Sequence, residues 1–162
     1  MREIRRKEKA IKTHAEMALI LKRAAHVTLA MVDGNQPYLV TLSHGYDEPN
    51  NCVYFHCARE GRKIDVLKQN PSVWGQALLD FGYVQGECTH RYATTQFQGT
   101  VSFVEDLKEK RHALEVMVHA LDSDPEEVLA KQVDEGSLQR VMIGRVDISF
   151  MSGKKSNDVV LE

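Results

Sequence analysis

The sequence predicts a mainly β protein, an antiparallel sheet of about six strands that closes into a barrel, with helices at its periphery. Three observations carry this expectation. Short apolar segments of alternating pattern recur from residue 27 onward with turn residues between them, a capped amphipathic segment precedes them, and two helix starts interrupt them before the last strand. A length of 162 residues suits one domain, and a hydrophobic share of 43% is enough to fill its core.

Each element has its own signal. Thr13-His14-Ala15-Glu16 has capping-box spacing and Met17, Ile20, Leu21 and Ala24 follow at helical intervals, so residues 14–25 are expected to form a helix. Val27–Val32, the Asp33-Gly34 turn and Tyr38–Ser43 read as a hairpin. The turn cluster Asp47-Glu48-Pro49-Asn50-Asn51 leads to a strand from Cys52 to Cys57. Gly61 then opens a brief helix that Asn70-Pro71 closes, and Val73–Leu79 supplies a fourth strand. Residues 80–92 have no clear period and read as a long loop or an irregular strand edge. From Thr94 to Val104 polar and apolar residues alternate, with Gly99 placed for a bulge. Leu114, Met117, Val118 and Leu121 mark a helix starting near Asp106, and Asp124-Pro125-Glu126-Glu127 starts another. A final strand from Met142 through Phe150 ends in a basic turn, Gly153-Lys154-Lys155. The expected organisation is a basic N-terminal arm over residues 1–12, one domain over residues 13–156 and a tail over residues 157–162.

Charge and cysteines narrow the classes. A formal net charge of −2 gives no electrostatic case for nucleic acid or an anionic membrane, although Arg2, Arg5, Arg6, Lys7, Lys9 and Lys12 cluster in the arm. No apolar stretch is long enough for a membrane span and no signal-peptide h-region follows the basic cluster, so a cytoplasmic protein is expected. The three cysteines, Cys52, Cys57 and Cys88, form no Cys-x-x-Cys pair. Cys52 and Cys57 fall on opposite faces of one strand, about 16 Å apart, and cannot bridge.

The densest chemical signal is Tyr54-Phe55-His56-Cys57-Ala58-Arg59-Glu60-Gly61-Arg62-Lys63. An extended apolar run ends in a glycine turn followed by two cations, an arrangement that lets the backbone approach an anion while Arg62 and Lys63 neutralise a phosphate. Gly-Arg-Lys alone is equally the make-up of an ordinary solvated turn. Zinc at His56-Cys57 and Cys88-Thr89-His90 is disfavoured, because strand neighbours point to opposite faces and ligand spacing is lacking, so no metal is expected.

The order of elements, together with Leu-Ala-Met-Val-Asp-Gly, Pro-Tyr-Leu-Val-Thr-Leu, Tyr-Phe-His-Cys-Ala-Arg-Glu-Gly-Arg-Lys and the closing Ser-Gly-Lys, resembles the FMN-binding split barrels related to pyridoxamine 5′-phosphate oxidase. Within them the chain is most similar to the nitroimidazole-resistance reductase branch, over residues 13–156. The resemblance implies a homodimer holding FMN between its subunits, the phosphate near Arg62 and Lys63, and Val40, Thr41, Leu42 and Ser43 beside the isoalloxazine. It places His56 by the flavin and the substrate pocket as the catalytic candidate, with Cys57 next to it among the cofactor-binding residues. Tyr92 and Thr94 fall in the segment that the partner subunit brings to the site, but Ala93 stands where the branch has arginine, with Arg91 nearby. The implied activity is an FMN-dependent oxidoreductase that takes electrons from NADH or NADPH and reduces a small acceptor such as a nitro-aromatic. No Gly-x-Gly-x-x-Gly fingerprint is present, so the nicotinamide nucleotide would visit the flavin pocket. The alternatives are a flavin carrier without turnover and a haem-binding relative using His44, His56 or His90.

Overall fold

A computed structural model describes residues 4–161; Arg2 of the basic cluster and Glu162 of the tail lie outside the described residues. The elements run β1 (Ala10–Ile11), α1 (His14–Arg23), β2 (His26–Asp33), β3 (Gln36–Ser43), β4 (Gly45–Asp47), β5 (Cys52–Cys57), α2 (Arg62–Gln69), β6 (Ser72–Val84), β7 (Thr89–Val104), α3 (Leu107–Leu121), α4 (Pro125–Gln132), α5 (Glu135–Arg140) and β8 (Met142–Lys155). One antiparallel sheet has the order β3-β2-β6-β7-β8-β5-β4, with β1 added to β8. All the predicted strands are present, and β1 and β4 are two short additions.

Closure is the first correction. No ladder joins β3 to β4, so the sheet is split, as the resemblance to split barrels implied, and does not close as protection of its edges alone would suggest. Its inner face is instead covered by α1, which buries Ala18, Ile20 and Leu21 against a core that includes Val27, Leu29, Phe55, Phe97 and Val146. A helix that fills the inner face removes the apolar surface that closure would otherwise have to bury. Thr13 caps α1 as predicted, accepting from the Glu16 amide at 3.3 Å and bonding the Glu16 carboxylate at 2.9 Å.

The second correction concerns residues 80–92, which form the end of one long β6–β7 hairpin. A register shift between Asp80 and Tyr83 breaks the alternation. Gly82 and Gly86 adopt φ of 87° and 82°, which few other residues tolerate. The Asp80 carboxylate braces the irregularity by accepting from the Gly82 amide and from His90 Nε2, each at 2.7 Å. The third correction is at the end of β8: Gly153-Lys154-Lys155 is strand, pairing with Thr95, Thr94 and Ala93 of β7. The α5 helix was not foreseen; Asp134 and Ser137 start it with a reciprocal capping box. Gly99 does sit at a β7–β8 register shift, where a Cβ would lie 2.6 Å from the Asp147 carbonyl oxygen.

A second, smaller core lies outside the sheet, where α3 covers Cys52, Tyr54, Val104 and Ile143 with Ala113 and Met117. The approach is close, since a Cβ on Gly45 would stand 2.8 Å from the Met117 amide nitrogen. Cys52 and Cys57 are divided between the two cores, as the strand period required.

Candidate functional site

A cleft of about 390 Å³ opens between the edge strand β3 and the start of α2. Val40, Thr41 and Leu42 line one wall and Glu60, Gly61, Arg62 and Lys63 the other. Gly61 has φ 125° and ψ 165°, a conformation that excludes a side chain on backbone grounds, and it is the N-cap of α2 without any side-chain cap. The amides of Ile64 and Asp65 bond the Gly61 carbonyl at 2.8 and 3.1 Å. Those of Arg62 and Lys63 belong to the first turn, where a helix has no internal acceptor to offer. Arg62 Nε donates to Asp33 Oδ2 at 2.9 Å, and its guanidinium lies 4.4 Å from the Tyr38 ring centroid. The Lys63 ammonium stands 5.5 Å from the Phe55 ring. Thr41 and Thr28 share a hydroxyl hydrogen bond of 3.0 Å on the neighbouring sheet face.

Five predicted residues, Val40, Thr41, Leu42, Arg62 and Lys63, therefore meet in one cleft. The others do not line it. Ser43 ends β3 opposite His26. His56 is exposed and paired across the sheet with Ile143, on the Tyr54 side of β5. Cys57 turns toward the main core, where burial raises its thiol pKa against the opposing effect of Lys63. Tyr92 and Thr94 stand on β7: Tyr92 exchanges hydrogen bonds with Ser156, and Thr94 Oγ1 donates to the Ala77 carbonyl at 2.8 Å. Ala93 is fully buried, and Arg91 is held by Asp158 at 2.6 Å. Two residues at the cleft, Asp33 and Tyr38, carry no sign of their place there in the sequence, because nothing local couples either to Arg62.

The outer face of the sheet carries a second hollow, of about 430 Å³, around Thr28, Leu39, Trp74, Gln76 and Gln96. Trp74 is neither core nor isolated. It meets Phe150 edge-on at 6.2 Å, and register places Leu39, Ala30, Trp74, Gln98 and Phe150 in one row across five strands. Leu39 is 62% exposed, Leu78 50% and Trp74 39%.

Of the candidate haem ligands, His44 is buried and donates Nε2–H to the Leu21 carbonyl at 2.8 Å. Burial lowers its pKa, against the opposing effect of that bond, and Nδ1 has no partner. His90 is engaged by Asp80 at the hairpin.

The residue match extends across this whole framework: a family model described as pyridoxamine 5′-phosphate oxidase covers residues 13–155. The chain belongs to that family. Among solved members and neighbours, a candidate 5-nitroimidazole antibiotic resistance protein from Bacteroides thetaiotaomicron is 27% identical with a TM-score of 0.77, over 90% of this chain and 85% of that one. A flavocytochrome from Azotobacter vinelandii is 16% identical with a TM-score of 0.76, over 95% and 72% of the two chains. An FAD-binding protein from Mesorhizobium loti is 21% identical with a TM-score of 0.64, over 90% and 96%. These two share the fold of this chain. No curated protein matches the chain. Among the described residues no helix is long and apolar enough to cross a membrane.

Proposed function

We propose that this chain is an FMN-dependent oxidoreductase that takes electrons from NADH or NADPH and reduces a small acceptor such as a nitro-aromatic. The observation that carries the reading is the cleft in which Gly61, Arg62 and Lys63 face Val40, Thr41 and Leu42. Its donor set fits a phosphate monoester: two cations, the first amides of a helix and a glycine without a Cβ converge on one opening. Its size is within the range of small-ligand sites. When bound, FMN supplies the redox chemistry. The chain's own residues hold and orient it. Arg62 and Lys63 neutralise the phosphate, and the β3 edge offers main-chain groups to the polar rim of the ring.

His56 is assigned the proton donor of the acceptor's reduction, through a ring nitrogen. Its exposed ring lies outside its own chain's cleft, so this role requires a second subunit. The exposed row of Leu39, Trp74 and Phe150 supports such a homodimer, since apolar surface of this kind is stabilised by cover. Tyr92 and Thr94 then reach the flavin from the partner.

The test is the absorbance spectrum and solution mass of the purified protein, followed by nicotinamide-nucleotide oxidation with a nitro-aromatic acceptor. A dimer with a flavin spectrum, FMN released on denaturation and steady-state flux is the expected result. Binding without flux marks a carrier. A Soret band, or failure to take up FMN at all, overturns the reading.

A further inference from the structure

We infer that Asp33 and Tyr38 are positioning residues that aim the end of Arg62 at a phosphate monoester, an inference that rests on the FMN reading above. An arginine at a helix start is a long, mobile side chain, and ordering it on a ligand costs rotamer entropy. Here that freedom is already restricted. The Arg62 main chain opens α2, Nε donates to Asp33 Oδ2 at 2.9 Å, and the guanidinium plane rests 4.4 Å from the Tyr38 ring centroid. With Nε engaged, the two terminal nitrogens remain as the pair able to fork onto an oxyanion.

Both supports are themselves fixed. Asp33 ends β2 opposite Gln36, in a turn held tight by Gly34 at φ 60°. Tyr38 packs its half-buried ring against the main core. The Arg62 side chain is nevertheless 61% exposed, so the bracket adds little to folding stability; its consequence is orientation. Charge alone gives the opposite expectation. Asp33 and Glu60 offset the formal charges of Arg62 and Lys63, so Asp33 weakens the field on an anion while improving the geometry of the donor that meets it.

Affinity for FMN and for riboflavin, which lacks the phosphate, separates these effects when measured by flavin fluorescence on the full-length protein. Asp33→Asn and Asp33→Ala remove the same charge, but only asparagine keeps an oxygen that can accept from Nε. The expected result is FMN affinity at or above wild type in Asp33→Asn and about tenfold weaker in Asp33→Ala than in Asp33→Asn. Tyr38→Ala should weaken FMN about threefold while Tyr38→Phe, which keeps the ring, stays near wild type. Riboflavin affinity should not move in either Asp33 variant, which also shows that each one is folded. Equal FMN affinity in the two Asp33 variants, or a parallel loss of riboflavin binding, overturns the bracket while leaving the FMN reading intact. A wild-type protein that binds riboflavin as tightly as FMN overturns the phosphate placement itself, and the bracket with it.

Discussion

The two ends of β5 are equally rich in polar and ionisable groups, yet they differ in what those groups face. At the first end, under α3, every strong group is answered within the chain. Tyr54 donates to Glu109 at 3.2 Å, Glu109 accepts from Arg145 at 2.7 Å, and Arg145 also pairs with Asp147 at 2.7 Å. Beside them the buried Asp47 accepts from His112 at 2.6 Å and from Asn50 at 2.8 Å. Burial pushes the Cys52 thiol up to about 11 and raises the Tyr54 phenol further, so neither ionises near neutrality. At the second end, past Cys57, Arg62 and Lys63 and the first amides of α2 face an open cleft. Density of ionisable residues therefore does not mark a site on this strand. A glycine turn, two cations and uncapped helix amides that share one opening do.

The largest expected effect breaks the first end alone. Gly45→Ala puts a methyl against the α3 backbone, which cannot swing away as a side chain can, and should cost about 3 kcal/mol in urea unfolding. FMN affinity should survive wherever the variant is folded, because α3 does not line the cleft. The reverse experiment, Arg62→Ala with Lys63→Ala, should weaken FMN about a hundredfold or more while moving the unfolding midpoint little. A double variant that keeps full FMN affinity refutes the phosphate assignment.

His56 sharpens the contrast, because it lies between the two ends. His56→Gln should lower turnover about tenfold or more at unchanged FMN affinity, read by steady-state kinetics beside a flavin titration. A loss confined to flavin binding would instead make His56 a cofactor contact.

The smallest effect is on pH. Burial alone would raise the Asp47 pKa, but hydrogen bonds from Asn50 and His112 outweigh it and hold the carboxyl below its ordinary 3.8. Its stabilising contribution is therefore complete above that ordinary value and is lost as pH falls through the lower folded one. Thermal melts carried down through this window should lose stability that Asp47→Asn does not lose. An identical pH profile for the two proteins would show that the Asp47–His112 contact contributes nothing to docking α3.

Much of this is legible in the sequence. Alternation in β2, β3 and β7 is visible because one face of each strand is buried, and the α1, α3 and α4 starts announce themselves through capping residues. β4 was not legible: all three of its residues are buried, which leaves no period to read. The far end of the β6–β7 hairpin was hidden because a bulge shifts its alternation between Asp80 and Tyr83. α5 spans six residues, too few to show a helical repeat. At the cleft, Arg62 and Lys63 follow one glycine and could be found together, whereas Asp33 lies 29 residues away in sequence from the arginine it holds.

By itself the sequence determined the local chemistry: which segments are strands, where the helices start, and that a glycine is followed by two cations, because side-chain period and capping act within a few residues. Tertiary structure alone decided that α1 fills the inner face of the sheet, that His56 and Cys57 turn away from the cleft, and that Asp33 and Tyr38 bracket Arg62. These depend on how distant strands register and curl against one another, and a contact between residues far apart in the chain leaves no trace in the spacing of either.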